Sequence, residues 1–229
     1  EKSATFRERF SRLEAKHQKE RAAWRERAKA KANERPISAD WLCYCLSQVM
    51  DEDMIFVHHS ISHSAAGTEQ IDRTKPGTLL GCSAGSIQWA LGAALGAKVA
   101  APDKTVVSLM TDGGFVWGCP VATLWSAAAY RAPFLSVVLK NQSYGFIRLL
   151  VEQFYGKGNL SDEAAFEAGV DIKPSANYAK VAEACGGWGQ RVEDPADVLP
   201  ALKKAIAQVR KGKAAVVDVI VESGSDALL

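Results

Sequence analysis

TVVSLMTDGG at residues 105–114 and FLSVVLKNQS at 134–143 are built alike, six mostly apolar residues followed by a short polar turn. An apolar run of that length, bounded by turn residues, suits a strand buried on both faces. A helix is expected between them, over 121–130. Strand, helix, strand is the repeating unit of a parallel sheet covered by helices. The pattern continues upstream. Ser38 can cap a helix whose apolar positions Trp41, Leu42, Cys45, Leu46 and Val49 recur at helical period. Residues 55–57 read as a short buried strand, and Gly85, Gly92 and Gly96 within 81–101 are spaced for close helix packing. Downstream, a helix is expected over 178–185, a strand near 190–192, a helix over 196–210 and a last strand over 214–221. The expected fold is α/β, a doubly wound, mostly parallel sheet with helices on both faces. One domain is placed at 36–229, behind a charged linker helix at 1–35 that Pro36 ends.

Composition narrows the class. The chain has 229 residues, 48% of them apolar, with 28 Lys plus Arg against 26 Asp plus Glu, which suits a globular domain with a sizeable core. No run of about 18 apolar residues occurs, so no membrane-spanning helix is expected. No charged-then-apolar leader opens the chain, and the five cysteines form no CxxC pair; reduced thiols in the cytoplasm follow as expectations. Residues 1–35 carry 12 basic and 6 acidic side chains, the remainder a net negative charge. Mixed signs on a helix-favouring stretch suit a solvated linker better than a nucleic-acid arm. Its thin apolar line, Phe6, Phe10, Leu13 and His17, is expected to dock on a neighbour. A start at Glu1 in a linker-like segment suggests a processed chain or a piece of a longer one.

In parallel sheets ligands gather at the carboxyl ends of the strands. Asp112 supplies a hard carboxylate oxygen at one such end, and Gly113 and Gly114 let backbone N–H groups approach an anion closely. Asn141 supplies an amide oxygen 29 residues later, on the next strand-end loop. Carboxylate, amide oxygen and backbone carbonyl, completed by phosphate oxygens, are what Mg²⁺ prefers, so a diphosphate held through Mg²⁺ is the natural ligand.

Asp112-Gly113 followed by Asn141 resembles the GDG…NN motif of thiamine-diphosphate enzymes, and the resemblance extends over most of 36–221. The segments GSIQWALGAALGA (85–97), GFVWGCP (114–120) and YAKVAEACGGWGQRVEDP (178–195), with the closing AAVVDVIVE, are similar to the C-terminal diphosphate-binding (PP) domain of this family. The group in question is the acetolactate synthase-like, 2-oxoacid decarboxylase and 2-hydroxyacyl-CoA lyase group. The resemblance implies thiamine diphosphate and Mg²⁺ as cofactors, with the metal held by Asp112, Asn141 and the main-chain carbonyl of Ser143. It implies Gly113 and Gly114 at the diphosphate, Ile87 as the apolar support under the cofactor, and Tyr144 and Gly145 at the border of the site. Plain core packing is the competing role for Ile87. Two positions depart from the family pattern: Thr111 stands for the first glycine and narrows the backbone angles of the turn, and Lys140 stands for the first asparagine, its side chain expected to point outward.

Enzymes of this group need a pyrimidine-binding domain that donates a glutamate to the cofactor. This chain carries no such domain, so it resembles half of an active site, incompetent alone, that is completed by another chain or segment. A dimer or tetramer is implied, with a 2-oxo acid or acyl compound as substrate and neither nucleic acid nor membrane as partner. The implied activity is decarboxylase, lyase or carboligase chemistry beside a carbonyl. The alternatives are a non-catalytic cofactor-binding or scaffolding half, or a 2-oxoacid oxidoreductase subunit, many of which carry cluster-ligating cysteine pairs absent here. A nicotinamide dehydrogenase would need a GxGxxG after its first strand, and none is found. His59, in the HHxxxH stretch 58–63, is a candidate for hydrogen bonding or proton transfer near the cofactor. Trp89 and Trp117 are expected in the core, although Trp117 sits close enough to the motif to touch cofactor or substrate.

Overall fold

The apolar runs form six strands: β1 (Ile55–His59), β2 (Leu79–Gly81), β3 (Val106–Thr111), β4 (Leu135–Lys140), β5 (Trp188–Val192) and β6 (Ala215–Ile220). They make one sheet in the order β2-β1-β3-β4-β6-β5, with every neighbouring pair parallel. The computed structural model describes residues 2–82, 85–156 and 169–223; the last residues of the expected 36–229 domain, 224–229, lie outside them. Helices α1 (Lys2–Ala30), α2 (Ala39–Ser47), α3 (Ser64–Gln70), α4 (Trp89–Ala100), α5 (Asp112–Trp117), α6 (Pro120–Ala129), α7 (Gly145–Tyr155), α8 (Tyr178–Ala184) and α9 (Val198–Arg210) complete the described elements, with two short 3₁₀ turns at Ile61–His63 and Pro195–Asp197.

Alternation along the strands divides the interior into two layers. Phe56, Val107, Leu109, Leu135, Val137, Val217 and Val219 pack with Leu42 and Leu46 of α2 and Leu202 and Ile206 of α9. Val57, Val106, Met110, Val138 and Val216 pack with Leu91 of α4, Phe115 of α5, Leu124 of α6 and Tyr178 of α8. Both faces are therefore covered, as the uninterrupted apolar strands require. Register places Thr111 beside Leu139, so β3 and β4 end side by side near the middle of the sheet.

Several local expectations are corrected. Asp112-Gly113-Gly114 is not a turn but the first turn of α5. Two glycines make a poor helix former, and tertiary packing supplies what propensity lacks: Phe115 is fully buried, its ring 4.9 Å from that of Tyr178. Ser38 stands at the N-cap of α2 but makes no side-chain cap bond; Glu222 instead accepts from the Ala39 N–H at 2.8 and 2.9 Å. A side chain added at Gly85, Gly92 or Gly96 would meet nothing within 4 Å, so these glycines serve no close helix packing among the described residues. Phe6, Phe10 and Leu13 of α1 are exposed rather than docked. The helix is anchored through its later turns, by Arg21 on Asp72, by Arg27 on Asp40 and Glu69, and by the Trp24 carbonyl, which accepts from Gln70. Among the described residues no helix is long and apolar enough to cross a membrane.

Candidate functional site

The site is organised by one carboxylate. Asp112, fully buried at the end of β3, accepts from the Gly113 N–H at 2.9 Å through Oδ1 and from the Gln142 N–H at 2.7 Å through Oδ2. It thereby ties the loop after β4 to the loop after β3. Burial pushes its carboxyl up to about 6, against the downward pull of these two N–H groups and of Lys140. A buried carboxylate that is this costly to ionise is one that a cation would stabilise.

The loop after β4 folds around the same point. Asn141 accepts from the Ser143 N–H at 3.3 Å and donates to the Ser223 carbonyl at 2.8 Å, while Gln142 takes a left-handed φ of 59°. A bridge between Ser143 and Asp171, with the Gln142 carbonyl accepting from Ile172 and Tyr144 donating to Val170, pins the loop on its outer side. Asn141, Ser143 and Gly145 line a cavity of about 320 Å³ together with Arg148, Asp171, Lys173 and Ser223. Gly145 packs closely: a Cβ there would lie 3.2 Å from the Ser223 carbonyl and 3.4 Å from Asn141 Nδ2, so a side chain would need these neighbours to give by a few tenths of an ångström.

Gly113 is demanded by Tyr144, whose ring atoms would stand 2.6 and 2.9 Å from an added Cβ. Gly114 is backed by the Ile87 carbonyl, 3.0 Å from the equivalent position, and the tip of Ile87 reaches within 3.5 Å of that at Gly113. Ile87 is thus brought onto the glycine pair, half-buried and outside both core layers. Tyr144 accepts from Trp117 Nε1 at 2.6 Å, and Trp117 is 58% exposed rather than in the core; Trp89 is half-buried. Val116, Val121, Trp125, Phe146 and Ile147 are exposed on the same helices, α5 to α7.

The three histidines diverge: His58 and His59 are the last residues of β1, and His63 ends the 3₁₀ turn after it. His59 is nearly buried, edge-on to Trp89 with ring centroids 6.3 Å apart, and burial lowers its pKa. His58 stacks on Phe56 and bonds Ser60 Oγ at 2.8 Å, and His63 bonds the Glu222 carbonyl at 3.1 Å. No group of three His, Cys, Asp or Glu side chains fit to hold a metal occurs among the described residues.

Both departures from the motif have a physical resolution. Thr111 has φ −83° and ψ 165°, ordinary extended backbone that asks for no glycine. Lys140 does not point outward: its side chain is 0% exposed and lies 3.5 Å from Asp218 Oδ2, with its ammonium 4.5 Å from the centre of the Tyr178 ring and donating to the Ala176 carbonyl. Sequence reasoning missed Asp218, although a signal was present. An aspartate inside the apolar run AAVVDVIV must be buried and is rarely so without a partner.

Fold and site together define an α/β domain with an oxygen-lined crevice where two central parallel strands end. More narrowly, the chain belongs to the thiamine pyrophosphate enzymes, as their C-terminal TPP binding domain, whose family model matches residues 62–219. It is 29% identical over 175 residues to the benzoylformate decarboxylase of Pseudomonas aeruginosa, covering 76% of this chain and 31% of that protein. It is 32% identical over 122 residues to a probable acetolactate synthase large subunit of Methanococcus aeolicus, covering 53% of this chain and 19% of that one. The solved thiamine diphosphate-dependent 4-hydroxybenzoylformate decarboxylase of Rhodococcus jostii superposes with a TM-score of 0.71 at 27% identity, covering 81% of this chain and 33% of that chain. The chain therefore spans about a third or less of the length of these relatives. The cofactor of the family is thiamine diphosphate, and the donors present fit it. A buried carboxylate, an amide oxygen and a main-chain carbonyl are the hard oxygens Mg²⁺ takes, and they come together at the two loops that Asp112 joins.

Proposed function

We propose that this chain is the cofactor-binding half of a thiamine-diphosphate- and Mg²⁺-dependent enzyme that breaks or forms a C–C bond beside a carbonyl. The observation that carries the reading is the Asp112 carboxylate spanning from the Gly113 N–H to the Gln142 N–H. It ties two strand-end loops together through the chain's own hydrogen bonds, which is preorganisation of the kind tight sites need. In this reading Asp112, Asn141 and the Ser143 carbonyl hold Mg²⁺, Gly113 and Gly114 face the diphosphate, and Ile87 supports the organic part of the cofactor. When bound, the cofactor supplies a nucleophilic carbon and an electron sink for the carbanion left by bond cleavage. The residues of this chain bind, orient and exclude water. Tyr144 and Gly145 border the crevice, and His59 stands by as a hydrogen-bonding group, uncharged near neutral pH because it is buried.

Residues 1–35 serve as the linker and 36–229 as the PP domain. The exposed Trp117, bonded to Tyr144, and the exposed Phe146 and Ile147, next to Gly145, favour a covering pyrimidine-binding domain, supplied by another chain or segment. An oligomer, dimer or tetramer, in the cytoplasm belongs to the same reading. The relatives' names, benzoylformate decarboxylase and acetolactate synthase, point to 2-oxo acids as the substrate class.

The test is calorimetric titration of thiamine diphosphate with and without Mg²⁺. Asp112→Ala should abolish Mg²⁺-dependent retention while the circular dichroism spectrum stays native; unchanged retention would move the metal elsewhere. Tight binding without turnover, in the assembly completed by a pyrimidine-binding domain, would favour a scaffolding half.

A further inference from the structure

A lysine with its whole side chain out of water is rare, and here it lies one residue from a proposed metal ligand. Lys140 ends β4 and Asp218 lies on the neighbouring strand β6, both on the sheet face that carries Met110 and Val138, and both with side chains 0% exposed. The Lys140 ammonium has three partners: Asp218 Oδ2 at 3.5 Å, the Ala176 carbonyl, and the Tyr178 ring at 4.5 Å. Asp218 Oδ2 also accepts from the Tyr178 N–H at 3.1 Å, while Oδ1 is buried with no hydrogen-bond partner. A third charge belongs to this cluster. Asp112, at the adjacent strand end, is attracted by Lys140, and Lys140 by Asp112. Arg191 also acts on the pair from β5, but its guanidinium is committed to Glu193 at 2.8 Å.

One buried ammonium is thus paired with Asp218, while a second buried carboxylate, Asp112, stands at the neighbouring strand end, and only one of these can serve a divalent ion. We propose that Asp218 is the counter-ion that keeps the Lys140 ammonium off Asp112, so that lysine and Mg²⁺ do not compete for the same carboxylate. Asp218 is then a positioning residue of the metal site, acting through Lys140 and touching neither metal nor cofactor. The logic is electrostatic. At the short range and reduced dielectric of a buried cluster, an ammonium released by loss of its carboxylate is drawn strongly to the next one. This rests on Asp112 being the metal ligand proposed above.

The experiment is a double-variant cycle read as Mg²⁺ affinity, by calorimetry on the full-length protein saturated with thiamine diphosphate. Asp218→Asn should weaken Mg²⁺ binding about tenfold or more, and Lys140→Met/Asp218→Asn should restore it to within about threefold of the unaltered protein. Such a recovery on removing a second buried group is opposite to what a merely structural role would give. Unchanged affinity in Asp218→Asn, or equal loss in single and double variants, would overturn the proposal. Loss of one partner of a buried pair can prevent folding. Should Asp218→Asn not fold, Lys140→Met alone decides: Mg²⁺ binding as tight as in the unaltered protein or tighter supports the proposal, weaker binding with a native spectrum overturns it. Asp112→Ala, run in parallel, separates the two readings. If it retains Mg²⁺ the metal site itself is wrong; if it loses Mg²⁺ while Asp218→Asn does not weaken it, only the role of Asp218 fails.

Discussion

Asp112 and His63 show how burial sets the chemistry of single residues in opposite senses. At Asp112 burial disfavours the anion, which the proposed Mg²⁺ would compensate. At His63 burial disfavours the cation, holding the imidazole neutral with its pKa down at about 4 while Nε2 meets the Glu222 carbonyl and Nδ1 has no hydrogen-bond partner. An unfolded histidine takes up its proton near pH 6.5. Between pH ~6.5 and about 4 the unfolded chain therefore binds a proton that the folded chain refuses, and the stability due to neutral His63 is lost as the pH falls. Asp40, Glu69 and Glu222 share its cavity, and Glu222, its carboxyl raised by burial, works in the opposite direction, so the comparison must be between variants. Relative to His63→Gln, the unaltered protein should lose up to about 3 kcal/mol between pH 7 and pH 4. Urea denaturation at several pH values checks this; a pH-independent difference would mean that His63 is not held neutral.

Among the elements, α1 and α5 illustrate where propensity and packing part company. Helix α1 has strong helix formers throughout, yet only its later turns meet the domain. Arg27 forks onto Asp40 at 3.0 and 3.1 Å, Lys31 joins the same carboxylate at 3.2 Å, and Ala28 is fully buried. Removal of residues 1–18 should shift stability by less than about 1 kcal/mol, since those side chains with described burial up to Gln18 are exposed. Removal of 1–31 should cost several times more, because it strands Asp40 and uncovers the apolar surface beneath Ala28. Thermal denaturation of the two truncations makes the comparison. Helix α5 is the reverse case, poor in propensity and secured by Phe115, so its existence could not be read from Asp-Gly-Gly.

On the scale of the whole molecule, a single α/β domain presents its crevice beside exposed aromatic side chains. Trp117 and Trp125 are each about 60% exposed, together with Val116, Val121, Phe146 and Ile147. A solvated indole beside the crevice, that of Trp117, reports directly on a covering partner. Addition of the proposed pyrimidine-binding half should shift tryptophan emission to shorter wavelength and protect Trp117 from acrylamide quenching. Replacing Trp117 with Phe should remove part of that change. Emission indifferent to the added half would mean that the proposed partner does not cover this surface.

Most of this architecture was legible because it depends on periodicity and on loop chemistry that survive in one dimension. Apolar runs bounded by turn residues marked five of the six strands, and the pairing of Asp112 with Asn141 marked the two loops that meet. The strand Leu79–Gly81 was missed because three edge residues carry no periodicity. What stayed hidden were facts about neighbours far apart in the chain: Lys140 turned inward onto Asp218, Tyr144 resting on Gly113, Glu222 capping α2, and Trp117 left in water. Each is decided by which elements the sheet order makes adjacent. A residue's own type states what it needs, whereas only the packed chain states what stands within reach to satisfy it.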